Sequence, residues 1–127
     1  MDKVESFRDL VVWQKAIDLS QRIYIITQRF PKEEMFGITS QIRKAVVSIA
    51  SNIAEGHGRN TTGEYIHFVG ISKGSFCELE TQLTISRRIG FLTEETLNDL
   101  MNDCAHIGRL LNGLIHSLQN KKRGSRD

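Results

Sequence analysis

Residues 38–58 read ITSQIRKAVVSIASNIAEGHG. Ile38, Ile42, Ala45, Val46, Ile49 and Ile53 recur at steps of three and four, the spacing that stacks side chains on one face of an α-helix. Up to Gly56 the only charged residues are Arg43, Lys44 and Glu55. Val47, Ala50 and Ala54, with Arg43 among them, form a second face of small apolar residues away from that stripe. A helix that is apolar nearly all round is buried nearly all round. A chain of 127 residues makes one domain and cannot wrap this helix by itself. The second face is therefore expected to meet another subunit, with Arg43, Val47, Ala50 and Ala54 as candidate interface residues. Gly56-His57-Gly58 reads as a glycine-rich C-terminal stop.

Three more helical segments flank this one. The first spans about residues 9–29 and carries Trp13, Ile17, Ile23, Tyr24 and Phe30 as its core stripe. Val12, Ala16, Leu19 and Ile26 widen its apolar arc to about 180° at 100° per residue. It ends before Phe30-Pro31, because a residue preceding proline is pushed out of the α region. Pro31 is the chain's single proline, too few for the turns of a β-rich protein. The third segment opens at Thr61-Thr62-Gly63-Glu64, a capping-box pattern, and closes near Gly90 with Tyr65, Phe68, Ser72, Phe76, Leu79 and Leu83 on its core side. The fourth follows Thr93 with Glu94 and Glu95, charges that suit the positive end of a helix dipole. Leu97, Leu100, Met101, Cys104, Ile107, Leu111, Leu114, Ile115 and Leu118 line it. Short connections make neighbouring helices antiparallel. The fold class is all-α, an up-down-up-down four-helix bundle over residues 1–120, with 121–127 as a basic, disordered tail.

Composition sets further bounds. Hydrophobic residues at 39% and charged ones at 25% describe an ordinary globular chain. No apolar run approaches the roughly 20 residues of a membrane-spanning helix, and the opening MDKVESFRDL lacks the pattern of a signal peptide. A cytoplasmic location without membrane contact is expected. Cys77 and Cys104 have no metal-ligand spacing, and buried, reduced packing thiols are the expected reading.

Motifs that could carry chemistry are few. Glu64-x-x-His67 and Asp103-x-x-His106 have the carboxylate-x-x-histidine spacing of di-iron bundles. On antiparallel helices, however, they would lie ~20 Å or more apart along the axis, against about 4 Å for a dinuclear centre. Gly56-x-Gly58 is too short for a phosphate loop and follows a helix instead of a strand. Glu78 and Glu80 have no partnered acid or base, and Glu78 is expected at the core edge, seeking Arg43 or Asn52. No catalytic residue, cofactor or metal is assigned.

Charge is unevenly spread. Residues 121–127, KKRGSRD, carry four basic residues and one acidic one. Residues 1–60 carry nine basic and seven acidic side chains, residues 61–120 four and seven. Any positive surface therefore belongs to the first two helices and the tail. Arg43, Lys44, Arg59, Lys121, Lys122, Arg123 and Arg126 are the candidate phosphate contacts. With no aromatic ladder among them, stacking on bases is not expected.

Several motifs occur in order from Phe7 to about Leu92: Phe7-Arg-Asp-Leu10 with Val12-Trp13-Gln14, Phe30-Pro31, Phe36-Gly37, Gln41-Ile42-Arg43, Ser48-Ile49-Ala50-Ser51-Asn52-Ile53-Ala54-Glu55-Gly56 and Gly74-Ser75-Phe76-Cys77-Glu78-Leu79-Glu80. In these the chain resembles the four-helix-bundle proteins encoded within intervening sequences of bacterial 23S rRNA genes, often labelled ribosomal. It is also similar to retroelement accessory proteins that bind nucleic acid and a reverse transcriptase. One departure is Ala50, where the family commonly has proline, which should leave the second helix straighter. The resemblance implies a bundle assembled into a ring, a homopentamer, and assigns no agreed activity. Two function classes follow. One is a non-enzymatic accessory protein holding RNA or DNA by backbone electrostatics; the alternative is a protein interaction scaffold without a nucleic-acid role, its partner unidentified.

Overall fold

A short 3-10 turn, Phe7–Asp9, precedes the first helix and is closed at both ends. The Ser6 hydroxyl accepts the Arg8 backbone N–H at 3.0 Å, and Asp9 Oδ2 accepts those of Glu5 and Ser6 at 2.9 and 3.1 Å. These backbone donors hold the Asp9 carboxyl below its usual range. The computed structural model describes residues 4–125, and in them the chain forms four α-helices and no strand.

Helix α1, Val11–Thr27, stops short of Pro31. Its last turn tightens through Gln28, Arg29 and Phe30 N–H bonds to carbonyls three and four residues back. Phe30 then turns inward, buried against Phe91 with ring centroids 5.4 Å apart. Helix α2 runs unbroken over Ile38–His57. Helix α3, Thr62–Arg88, starts at Thr61, whose hydroxyl accepts the Glu64 N–H at 3.1 Å. It ends at Gly90, which takes a positive φ of 88° that a side chain would resist. Helix α4, Glu94–Ser125, is capped by Thr93, which accepts the Thr96 N–H at 3.1 Å.

Each helix packs on its neighbour in sequence, and α4 closes the square against α1. The α2–α3 pair is the most intimate, for two reasons. Small polar groups set its register: the Ser48 and Ser75 hydroxyls are 2.8 Å apart, and the Ser72 hydroxyl donates to the Ile49 carbonyl at 2.8 Å. Gly56 then lets the α3 backbone approach, for a Cβ there would stand 2.9 Å from Phe68 Cβ and 3.2 Å from the Tyr65 carbonyl oxygen. Ile23, Ile42, Ile49, Ile53, Leu79, Leu83, Leu100, Ile107 and Leu111 fill the centre with almost no exposure. The antiparallel four-helix bundle expected from the periodicity is the fold observed.

Several local expectations need correction. Gly56 lies within α2 and serves helix approach; Gly58 is the residue that caps it. Ile17 and Tyr24 are exposed, because only part of the wide apolar arc of α1 faces the core. Cys77 is exposed as well, whereas Cys104 is buried. The basic tail is not disordered from residue 121: α4 continues through Ser125. Lys122 and Arg123 lie in its last turn, where positive charge favours the carbonyl end of the helix dipole. Arg126 and Asp127 lie outside the described residues.

Candidate nucleic-acid interface and assembly face

The helix directions bring the end of α2, the start of α3 and the end of α4 to one pole of the bundle. Arg59, just past α2, lays its guanidinium over the Phe68 ring, 4.5 Å from the centroid, while pairing with Glu55. Lys122 reaches the same turn: its Nζ lies 3.1 Å from where a Cβ on Gly63 would stand. Lys121 and Arg123 are exposed beside it, and Arg123 Nη2 donates to Asn120 Oδ1 at 2.6 Å. His57 meets Tyr65 edge to face at 5.8 Å, and burial raises the Tyr65 hydroxyl pKa. Of the candidate phosphate contacts, Arg59, Lys121, Lys122 and Arg123 are thus gathered together.

Arg43 and Lys44 are not part of that cluster. They precede Arg59 by 16 and 15 residues, about 22 to 24 Å at 1.5 Å per residue. Arg43 is turned toward α1 and half-buried: its Nε donates to Thr27 Oγ1 at 3.0 Å, its Nη2 to the Tyr24 carbonyl at 3.4 Å, and it stacks 4.6 Å over the Tyr24 ring. Arg43 is therefore an interhelical clamp. Lys44 remains exposed.

The expected assembly face is rearranged. Ala50 is only 5% exposed and belongs to the subunit's own core. Ala54 is half-buried, and of the four candidates Val47 alone is exposed. What sequence reasoning missed is Phe36, 97% exposed just before α2. Tyr24, Met35, Phe36 and Val47, with Ser40, Arg43 and Lys44, line a surface groove of about 380 Å³. A signal was present: Phe36 sits between Met35 and Gly37, outside any helical period, so no core position claims it.

The expected partners of Glu78 also differ. Arg43 faces α1, and Asn52 donates to the Ser48 carbonyl and hydroxyl, both at 2.9 Å. Glu78 is exposed beside a smaller groove that it shares with Lys44. Asp103 is taken by Arg22 at 2.7 Å, which also reaches Asp99 at 3.7 Å. Among the described residues no three His, Cys, Asp or Glu side chains converge as a metal site. None of the described helices is long and apolar enough to cross a membrane.

This geometry defines a small helical bundle with a basic pole and an apolar side face. Over residues 8–113 the chain matches the family described as 23S rRNA-intervening sequence protein. It belongs to that family. It is similar to the crystal structure of a protein with unknown function from the S23 ribosomal protein family of Bacteroides thetaiotaomicron, at 25% identity and a TM-score of 0.77. That similarity covers 84% of this chain and 96% of the other. No curated protein matches the chain.

Proposed function

We propose that the protein is a non-catalytic, self-assembling accessory bundle that holds the phosphate backbone of RNA or DNA at its basic pole. The observation that carries this reading is the continuation of α4 through Ser125, which presents Lys121, Lys122 and Arg123 on a helix beside Arg59. Fixed cations neutralise phosphates without reading bases, so binding is sequence-independent and weakens with salt. The family's tie to intervening sequences of 23S rRNA supports a nucleic-acid setting. The non-catalytic part is supported by the carboxylates Asp103, Glu55 and Glu94, each engaged by an arginine.

One pole with four basic residues, of which Arg59 is already paired with Glu55, binds weakly alone. In an assembly, five copies being the number the resemblance implies, linked poles gain about 10² to 10⁴ in avidity where they can engage together. Fluorescence anisotropy with labelled RNA and DNA at two salt concentrations tests this on the full chain and on a chain ending at Asn120. The full chain should bind with a steep salt dependence and the shortened one should lose most of its affinity. Equal, salt-resistant binding by both would move the site away from the pole. Absence of binding by either would favour the second reading, a protein interaction scaffold, which the exposed face around Phe36 supports.

A further inference from the structure

The seam between α1 and α4, the loosest of the bundle, holds a pocket of about 160 Å³. Its floor is apolar, made by Leu19 and Ile107, which are 2 and 1% exposed. Its rim is charged. At one end Arg22 Nη1 donates across the seam to Asp103 Oδ2 at 2.7 Å. One turn back along α1 and one turn onward along the antiparallel α4 bring Asp18 to the level of His106, and Lys15 follows about a turn beyond Asp18. Lys15, Asp18 and His106 are all exposed at the mouth.

Arg22 and Asp103 neutralise each other, which leaves the pocket one cation, Lys15, and one carboxylate, Asp18. On a helix surface, residues three or four apart are neighbours, and opposite charges there often pair. Asp18 has Lys15 three residues before it and Arg22 four residues after it, yet neither pair forms, and Arg22 turns to α4 instead. Neither Lys15 nor Asp18 has an ion-pair partner among the described residues. A simple anion in the pocket would face the Asp18 carboxylate, and a simple cation the Lys15 ammonium. A molecule bearing one charge of each sign satisfies both, and the His106 ring adds a further N–H donor. The volume is that of about five waters at ~30 Å³ each, below the roughly 300 Å³ at which pockets for larger ligands begin. Only a small molecule fits.

We infer that this pocket binds a small zwitterion, an α-amino acid with a short aliphatic side chain. Its ammonium goes to Asp18, its carboxylate to Lys15 and His106, and its side chain rests on Leu19 and Ile107. The site is separate from the basic pole, since His106 lies about 22 Å along α4 from Lys121, and it stands whether or not the pole holds nucleic acid. A ligand of about eight heavy atoms should bind with a Kd on the order of 0.1 to 1 mM. The test is a titration of the full chain with L-valine, followed by backbone amide NMR shifts. Valine should give saturable shifts confined to residues 15–22 and 103–107. 3-Methylbutanoate, which is valine without its amine, and isobutylamine, which is valine without its carboxylate, should each bind at least tenfold more weakly. Asp18→Asn and Lys15→Gln alter exposed side chains, so both should keep their helix content by circular dichroism while valine binding weakens at least tenfold. The absence of saturable shifts with valine would overturn the site. Equal binding of 3-methylbutanoate or isobutylamine would overturn the zwitterion, and undiminished valine binding by Asp18→Asn would overturn the role given to that carboxylate.

Discussion

Cys104 and Cys77 carry the same thiol in opposite surroundings. Burial, with Glu80 and Asp103 nearby, pushes the Cys104 pKa up to about 12, whereas Cys77 stands exposed on α3. Below about pH 9 the Cys104 thiol is protonated in both folded and unfolded chains and adds no pH dependence. Above that, the unfolded chain ionises first, so stability falls as pH rises toward 12, by at most about 1.4 kcal/mol per pH unit for this one group. Tyr65, also raised by burial, adds to the same slope from about pH 10. Urea midpoints at pH 8 and pH 10 should show the loss, and Cys104→Ala should flatten it. A thiol reagent should label one cysteine in the native protein and two after unfolding. Sequence could place both cysteines on helices but could not separate them, since a small apolar side chain suits a core edge and an outer face equally. Glu78 was harder for a related reason: its neighbours depend on which way Arg43 turns, and a long cation can reach either adjacent helix.

Helix pairs in this bundle are governed by how closely their backbones approach, and two glycines show opposite consequences. Gly56→Ala inserts a methyl group 2.9 Å from Phe68 Cβ. Overpacking costs about 1 to 3 kcal/mol, offset in part by about 1 kcal/mol of helix propensity, so a net destabilisation of up to about 2 kcal/mol is expected. Gly70→Ala meets nothing within 4 Å and should stabilise α3 by about 1 kcal/mol. Chemical denaturation of the two variants checks both signs; a stabilised Gly56→Ala would mean that α2 and α3 can part without loss. Helix existence was readable because periodicity, the Thr61 and Thr93 caps and Pro31 all agreed. The end of α4 was not: Lys121-Lys122-Arg123 reads as a solvated tail by composition, and only as a helix terminus once its charge is set against the helix dipole.

The square of helices is not uniformly closed. α2 and α3 share the tightest packing, while α1 and α4 share the least and are tied across their gap by Arg22 to Asp99 and Asp103. These groups are nearly half exposed, so the tie contributes little, at most about 1 kcal/mol. Hydrogen exchange should find the central amides of α2 and α3 opening only with global unfolding, and those of α1 through a cheaper partial opening. Arg22→Ala should speed exchange in α1 selectively; uniform acceleration throughout would show that the bundle opens as one unit. At the same scale, the 32 residues of α4 against 17 in α1 mean helices of about 48 and 26 Å. The longer rod carries its cations past the start of its shorter neighbour. Were copies arrayed about an axis along the helices, all these rods would point one way, giving the particle a front and a back. A polyanion would then be gripped from a single direction, like type against paper, so one particle could not bridge two strands lying at opposite poles.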